Sequence, residues 1–189
     1  MHPDTASYRG RNDRIPPYAG GKRYGLKSSP ADSHISDYIN RQQEGKLKAV
    51  ITQNIDGLHQ AAGSNVVLEL HGSVLRNYCE DCGRFYDMEY ILHTEGVPSC
   101  PCGGSIKPDV VLYEEGLNQK TLQDAVRYIS EADVLIVGGT SLAVYPAAGL
   151  IDYYTGNKLI LINKTPTPRD AAADLVVQGS IGEIFSGLS

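Results

Sequence analysis

No apolar run in this sequence approaches the roughly 18 residues that a membrane helix needs, which excludes a helical span. No apolar block stands near Met1 either, so nothing there reads as a secretory signal. Positive charge is in short supply. Seventeen Lys and Arg against 22 Asp and Glu give −5, a balance that argues against a protein built to coat nucleic acid or acidic lipid. Cysteine is scarce, with four in 189 residues, all in one stretch. There is no GxGxxG fingerprint, no internal repeat and no low-complexity tract. What is present, 41% hydrophobic and 21% charged residues, suits a packed core and excludes wholesale disorder. The expectation is a soluble cytoplasmic protein, one domain with a small satellite.

The first 30 residues differ from the rest. Their only branched aliphatics are Ile15 and Leu26, set among four Pro and four Gly. Arg9, Arg11, Arg14, Lys22, Arg23 and Lys27 against Asp4 and Asp13 make this segment +4, leaving 11 basic and 20 acidic residues, −9, for the remainder. Residues 1–29 therefore read as an irregular tail. The arginines suit a mitochondrial presequence, but the Pro and Gly would break its amphipathic helix.

From Pro30 the pattern becomes regular. Asp32 suits the cap of a helix with Ile35, Tyr38 and Ile39 on its apolar face, ending near Gly45. Apolar runs follow at 49–51, 66–68, 110–112, 134–137, 159–162 and 175–177. They are β-branched and continuous rather than alternating, the pattern of strands buried on both faces. Between them, Leu122, Ala125, Val126 and Ile129 repeat at helical spacing, and an Ala- and Leu-rich stretch runs from Pro146 to Tyr154. Alternating strands and helices predict an α/β fold with a Rossmann-like parallel sheet. Residues 79–107 break the alternation and read as an inserted module, leaving 30–78 and 108–189 to the sheet domain.

The module holds Cys79, Cys82, Cys100 and Cys102, spaced C-x2-C-x17-C-x-C. Two close thiolate pairs joined by a loop supply the four ligands of a tetrahedral zinc, and Gly83, Gly103 and Gly104 give the permissive backbone that a knuckle needs. The alternatives are two disulfides or four unrelated thiols, and the absence of a secretion signal favours zinc. Four ligands leave no open position, so the metal is expected to be structural, one per chain.

Polar or small residues stand just past four of the apolar runs. Gln53, Asn54 and Asp56 follow the first, in ITQNIDGLHQAAG, although Asn-x-Asp-Gly by itself also suits an ordinary turn. His71 follows the second, where a hydrogen-bonded core histidine is the alternative to a base. Gly139, Thr140 and Ser141 lie between VLIVG and the Pro146 stretch, where small residues let a ligand approach backbone N–H groups. Asn163 follows LILI. Such placements suggest a shared ligand crevice at one sheet edge.

ITQNIDGLHQAAG, the strand into His71-Gly72, the four cysteines, KPDVVLYEEG and GGTSLAVYPAAGL stand in the order found in sirtuins, and residues 30–189 resemble that family of NAD-dependent protein deacylases. The resemblance implies NAD as cofactor, an acetyl-lysine protein or peptide as partner, transfer of the acyl group to ADP-ribose and release of nicotinamide. By the same likeness His71 matches the general base that deprotonates a ribose hydroxyl. Gln53 and Asn54 match residues around the nicotinamide ribose, and Asp56 the carboxylate that holds the nicotinamide amide. Gly139, Thr140 and Ser141 match the adenosine and phosphate loop, and Asn163 a ribose contact. Val111, Leu112 and Tyr113 resemble the substrate-pairing segment, followed here by Glu114 where many sirtuins have Gly. The likeness favours acetyl over acidic acyl groups, while the lack of long apolar runs and the −9 on residues 31–189 argue against a membrane or nucleic-acid partner.

Sirtuins open with a strand, a Gly-Ala-Gly loop and a Gly-Ile-Pro-Asp-Phe-Arg stretch, and neither motif occurs in residues 1–50. The expectation is a sheet interrupted between the strands at 48–52 and 134–138, as if shortened at the N-terminus, with weak NAD binding and low thermal stability. A second reading follows, a catalytically impaired fragment that serves as a zinc-containing binding module.

Overall fold

The computed structural model describes residues 45–112 and 114–186. The expected tail, the helix from Asp32 and the candidate residue Tyr113 lie outside the described residues. The described chain divides into two compact units, one comprising Val74–Asp109 and the other 45–73 and 110–186. No helix among the described residues is long and apolar enough to cross a membrane.

The larger unit carries two parallel sheets. In the first, β1 (Val50–Thr52) pairs with β2 (Val67–Glu69), joined through the short helix α1 (Leu58–Ala61), with Val50 opposite Val67. The second follows helix α3 (Gln119–Ser130) and has the order β6 (Val134–Gly138), β7 (Lys158–Asn163), β8 (Leu175–Gln178). Among the described residues no strand joins β1 to β6. Helix α3 starts where the Asn118 side chain accepts the Thr121 N–H at 3.0 Å. Its predicted apolar stripe faces inward, with Ala125 and Ile129 buried beside Leu70, Leu117, Ala147 and Leu150. Ile51, Leu68 and Leu135 also pack on this cluster, so one core serves residues of both sheets. Helix α4 (Ile181–Ser186) closes the described chain, and a Cβ on Gly138 would collide with Ile181.

Two expectations need correction and one gains detail: the helical stretch after Pro146 is a 3-10 helix, Ala147–Tyr153. Gly149 donates to the Pro146 carbonyl three residues back, in a place where glycine weakens α-helix propensity. Burial on both faces holds for the central strand β7 but not for its neighbours, where Val134, Ile136, Leu175 and Val176 stay exposed. The run at 110–112 is not a parallel strand. Its strand, β5 (Ile106–Val110), lies beside β3 (Gly72–Cys79), an eight-residue strand that the sequence pattern did not reveal.

The smaller unit is built on these two, with β4 (Phe85–Asp87) antiparallel to β3 and helix α2 (Met88–Leu92) following it. Its core is Cys79, Tyr86, Ile91, Cys100 and Ile106. Two of those five side chains are thiols.

Candidate active site and metal centre

In the larger unit the polar residues singled out from the sequence follow the carboxyl ends of β1, β2, β6 and β7, the edge at which open α/β sheets bind ligands. Several are joined by hydrogen bonds. His71 Nδ1 lies 3.1 Å from the Gln53 carbonyl oxygen. A carbonyl only accepts, so neutral His71 carries its proton on Nδ1 and its lone pair on Nε2. Gln53 Nε2 donates to Thr140 Oγ1 at 3.4 Å, and Asn163 Nδ2 donates to the Thr140 carbonyl at 3.1 Å. Residues far apart in sequence thus meet in one network. Thr140 Oγ1 also accepts the Leu142 N–H at 3.3 Å, so what it has left to offer is its own proton. Asn163 gives a second bond to the Thr165 carbonyl at 3.1 Å, so its remaining capacity toward a ligand is the acceptor oxygen.

The other candidates surround this network less directly. Asp56 accepts the Leu58 N–H at 3.1 Å, the local turn bond that the sequence allowed for. The Asn54 N–H is bound to Thr52 Oγ1 at 3.1 Å, with the Asn54 side chain exposed. Gly139 has a left-handed backbone, φ 65°, with open space where a Cβ would stand, and Ser141 is exposed. Small, open backbone of this kind fits the close approach of a phosphate. Val111 donates its N–H to the His71 carbonyl at 3.1 Å. The Leu112 N–H is already bound to the Glu115 carboxylate at 2.9 Å, a contact with no sequence signal.

Sequence reasoning also passed over His59, on α1. Burial holds its imidazole below the ordinary histidine value, against the opposing pull of Asp56 and Glu69. Its Nδ1 is buried without a hydrogen-bond partner among the described residues. A histidine held neutral by burial stabilises the fold fully above about pH 6.5, and that contribution falls as pH drops below this value, where the unfolded chain takes up the proton more readily. His59→Asn is therefore expected to narrow the difference between urea midpoints at pH 7.5 and 5.5. An unchanged difference would place the acid sensitivity elsewhere.

In the smaller unit the four cysteine Sγ atoms all lie within 4.8 Å of one another. Cys79 and Cys102 are 3.4 Å apart and Cys82 and Cys100 3.6 Å. Zinc–sulfur bonds of about 2.3 Å in a tetrahedron place sulfurs about 3.8 Å apart, so the cluster fits zinc, the tight Cys-x-Cys pair included. Two turns shape it. Gly83 donates to the Cys79 carbonyl and Gly103 to the Cys100 carbonyl, both glycines with positive φ. A Cβ on Gly104 would lie 2.7 Å from Cys79 Sγ, so only glycine lets the chain pass the sulfur. The Cys100 thiol is drawn down to about 6, first by the Cys102 backbone N–H and next by the Tyr86 hydroxyl. A thiol this acidic is ready to bind metal as thiolate.

Residues 22–146 match the Sir2 family. The chain belongs to that family. Among Sir2 relatives, the NAD-dependent protein deacetylase of Clostridium acetobutylicum is 63% identical over 160 residues, 84% of this chain and 65% of that protein. The NAD-dependent protein deacetylase of Clostridium tetani is 63% identical over 149 residues, 78% of this chain and 60% of the relative. The chain thus spans somewhat under two thirds of the length of these relatives. A Sir2 crystal structure with the inhibitor EX-527, 2'-O-acetyl-ADP-ribose and deacetylated p53 peptide superposes with a TM-score of 0.80 at 37% identity, covering 96% of this chain and 76% of the other. A Sir2 complex with p53 peptide and NAD+ gives 0.76 at 39%, covering 82% and 70%.

Proposed function

We propose that this chain acts as an NAD-dependent protein lysine deacetylase, with zinc as a structural ion. The observation that carries the reading is the hydrogen-bonded chain from His71 through Gln53 and Thr140 to Asn163. It sets one basic nitrogen, one hydroxyl donor and one amide acceptor along the sheet edge where dinucleotides bind. The Sir2 relatives named as NAD-dependent deacetylases support the same chemistry.

NAD supplies the ribose that receives the acyl group as nicotinamide departs. The protein's part is positional and acid–base. His71, fixed by the Gln53 carbonyl, offers Nε2 to take the proton of a ribose hydroxyl. Gln53, Asn54 and Asp56 line the nicotinamide end, Asp56 being steadied by the Leu58 N–H. Gly139, Thr140 and Ser141 face the phosphate and adenosine side, where the Thr140 proton donates, and Asn163 accepts a hydroxyl. Val111 and Leu112 lie on the acyl-lysine side, with Val111 tied to His71. A cytoplasmic location fits this reading, because a four-thiol zinc centre needs a reducing compartment.

The test is incubation of the purified chain with an acetyl-lysine peptide and NAD. Nicotinamide and O-acetyl-ADP-ribose are expected in equal amounts, and only when the peptide is acetylated. Deacetylation with free acetate and no nicotinamide would mean simple hydrolysis and overturn the reading.

A further inference from the structure

A divalent ion held by four thiolates leaves the centre with a formal charge of −2. Unless hydrogen bonds draw off part of it, the sulfurs stay basic, open to alkylation and quick to release the ion. Backbone donors serve Cys100 and Cys102 through the N–H groups of Cys102 and Gly104. One donor is a side chain. The Tyr86 hydroxyl gives a buried hydrogen bond of 2.9 Å to Cys100 Sγ. Tyr86 and Cys100 are 8% and 4% exposed, so water cannot substitute for that bond.

Tyr86 reaches this position because β4 alternates, with Phe85 and Asp87 outward and Tyr86 inward. Its ring packs against Tyr90 at 4.5 Å between centroids. A phenylalanine would fill the same volume without burying a hydroxyl, which is costly unless it is bonded. The geometry points to Tyr86 as a positioning residue of the zinc centre: its hydroxyl donates to the Cys100 thiolate and holds the ion against loss. This rests on zinc occupying the four-cysteine cluster, which the metal content of the parent chain tests separately.

Tyr86→Phe in the full chain, loaded with zinc or with cobalt(II) as a coloured substitute, decides the matter. The variant is expected to bind one ion and keep its fold, yet to surrender zinc to a chromophoric chelator about 10–100-fold sooner. Its sulfur-to-cobalt charge-transfer band should move to longer wavelength, because an unshielded thiolate gives up electron density more readily. A purely structural ring is preserved by phenylalanine and would move neither readout, so an unchanged band with an unchanged release rate overturns the proposal. Should Tyr86→Phe fail to take up one ion, 3-fluorotyrosine placed at position 86 decides. It keeps the ring and hydroxyl but donates more strongly, so the band should move to shorter wavelength, and an unmoved band there also overturns the proposal.

Discussion

His71→Ala is expected to lower NAD-dependent deacetylation by about 10²–10⁴-fold, the contribution of a positioned general base. Zinc content should be unchanged, because the cluster lies wholly within Val74–Asp109 and the histidine within the other unit. Among the described residues of this unit the other histidine is His59, and its Nδ1 is buried. The stability cost should be small, on the order of 1 kcal/mol for one hydrogen bond to a carbonyl. A variant that melts like the parent and loses turnover matches the proposed role. One that keeps its rate would show that the base lies elsewhere.

The second large effect is in the smaller unit. Cys79→Ser is expected to remove the ion and unfold Val74–Asp109 as a whole. Among the described residues its core is five side chains, and two of them are Cys79 and Cys100. Losing a ligand therefore removes cross-link and packing together, and in such modules metal-binding energy is folding energy. Metal analysis should fall from one zinc per chain toward none, with loss of the near-ultraviolet dichroism contributed by Tyr78, Tyr86 and Tyr90. A parent chain that keeps its fold with zinc near zero would refute the structural role outright.

Local spacing made some of this legible before any coordinates. Four cysteines in two close pairs describe a metal site because the ligands are near neighbours along the chain, and the turns between them need only glycine. The stripe Leu122, Ala125, Val126 and Ile129 reads as a helix face because the period itself carries the information. The strand at β3 was illegible for the opposite reason. Its sequence, GSVLRNYC, alternates only weakly, and its partner strands lie on either side of the metal loops. Likewise, nothing in the composition of Pro146–Tyr154 separates a 3-10 helix from an α-helix.

The sequence by itself determined the four-thiol centre, the parallel α/β character and the set of polar residues that follow buried strands, because each depends on short-range order. Only the tertiary structure decided which of those residues meet. His71 rests on Gln53, 18 positions away, and Gln53 on Thr140, 87 positions away. It alone gave His71 its tautomer, brought Tyr86 onto Cys100 and buried His59 without a partner for Nδ1 among the described residues. They are set by how strands pair and a core closes, which no local period of the sequence encodes.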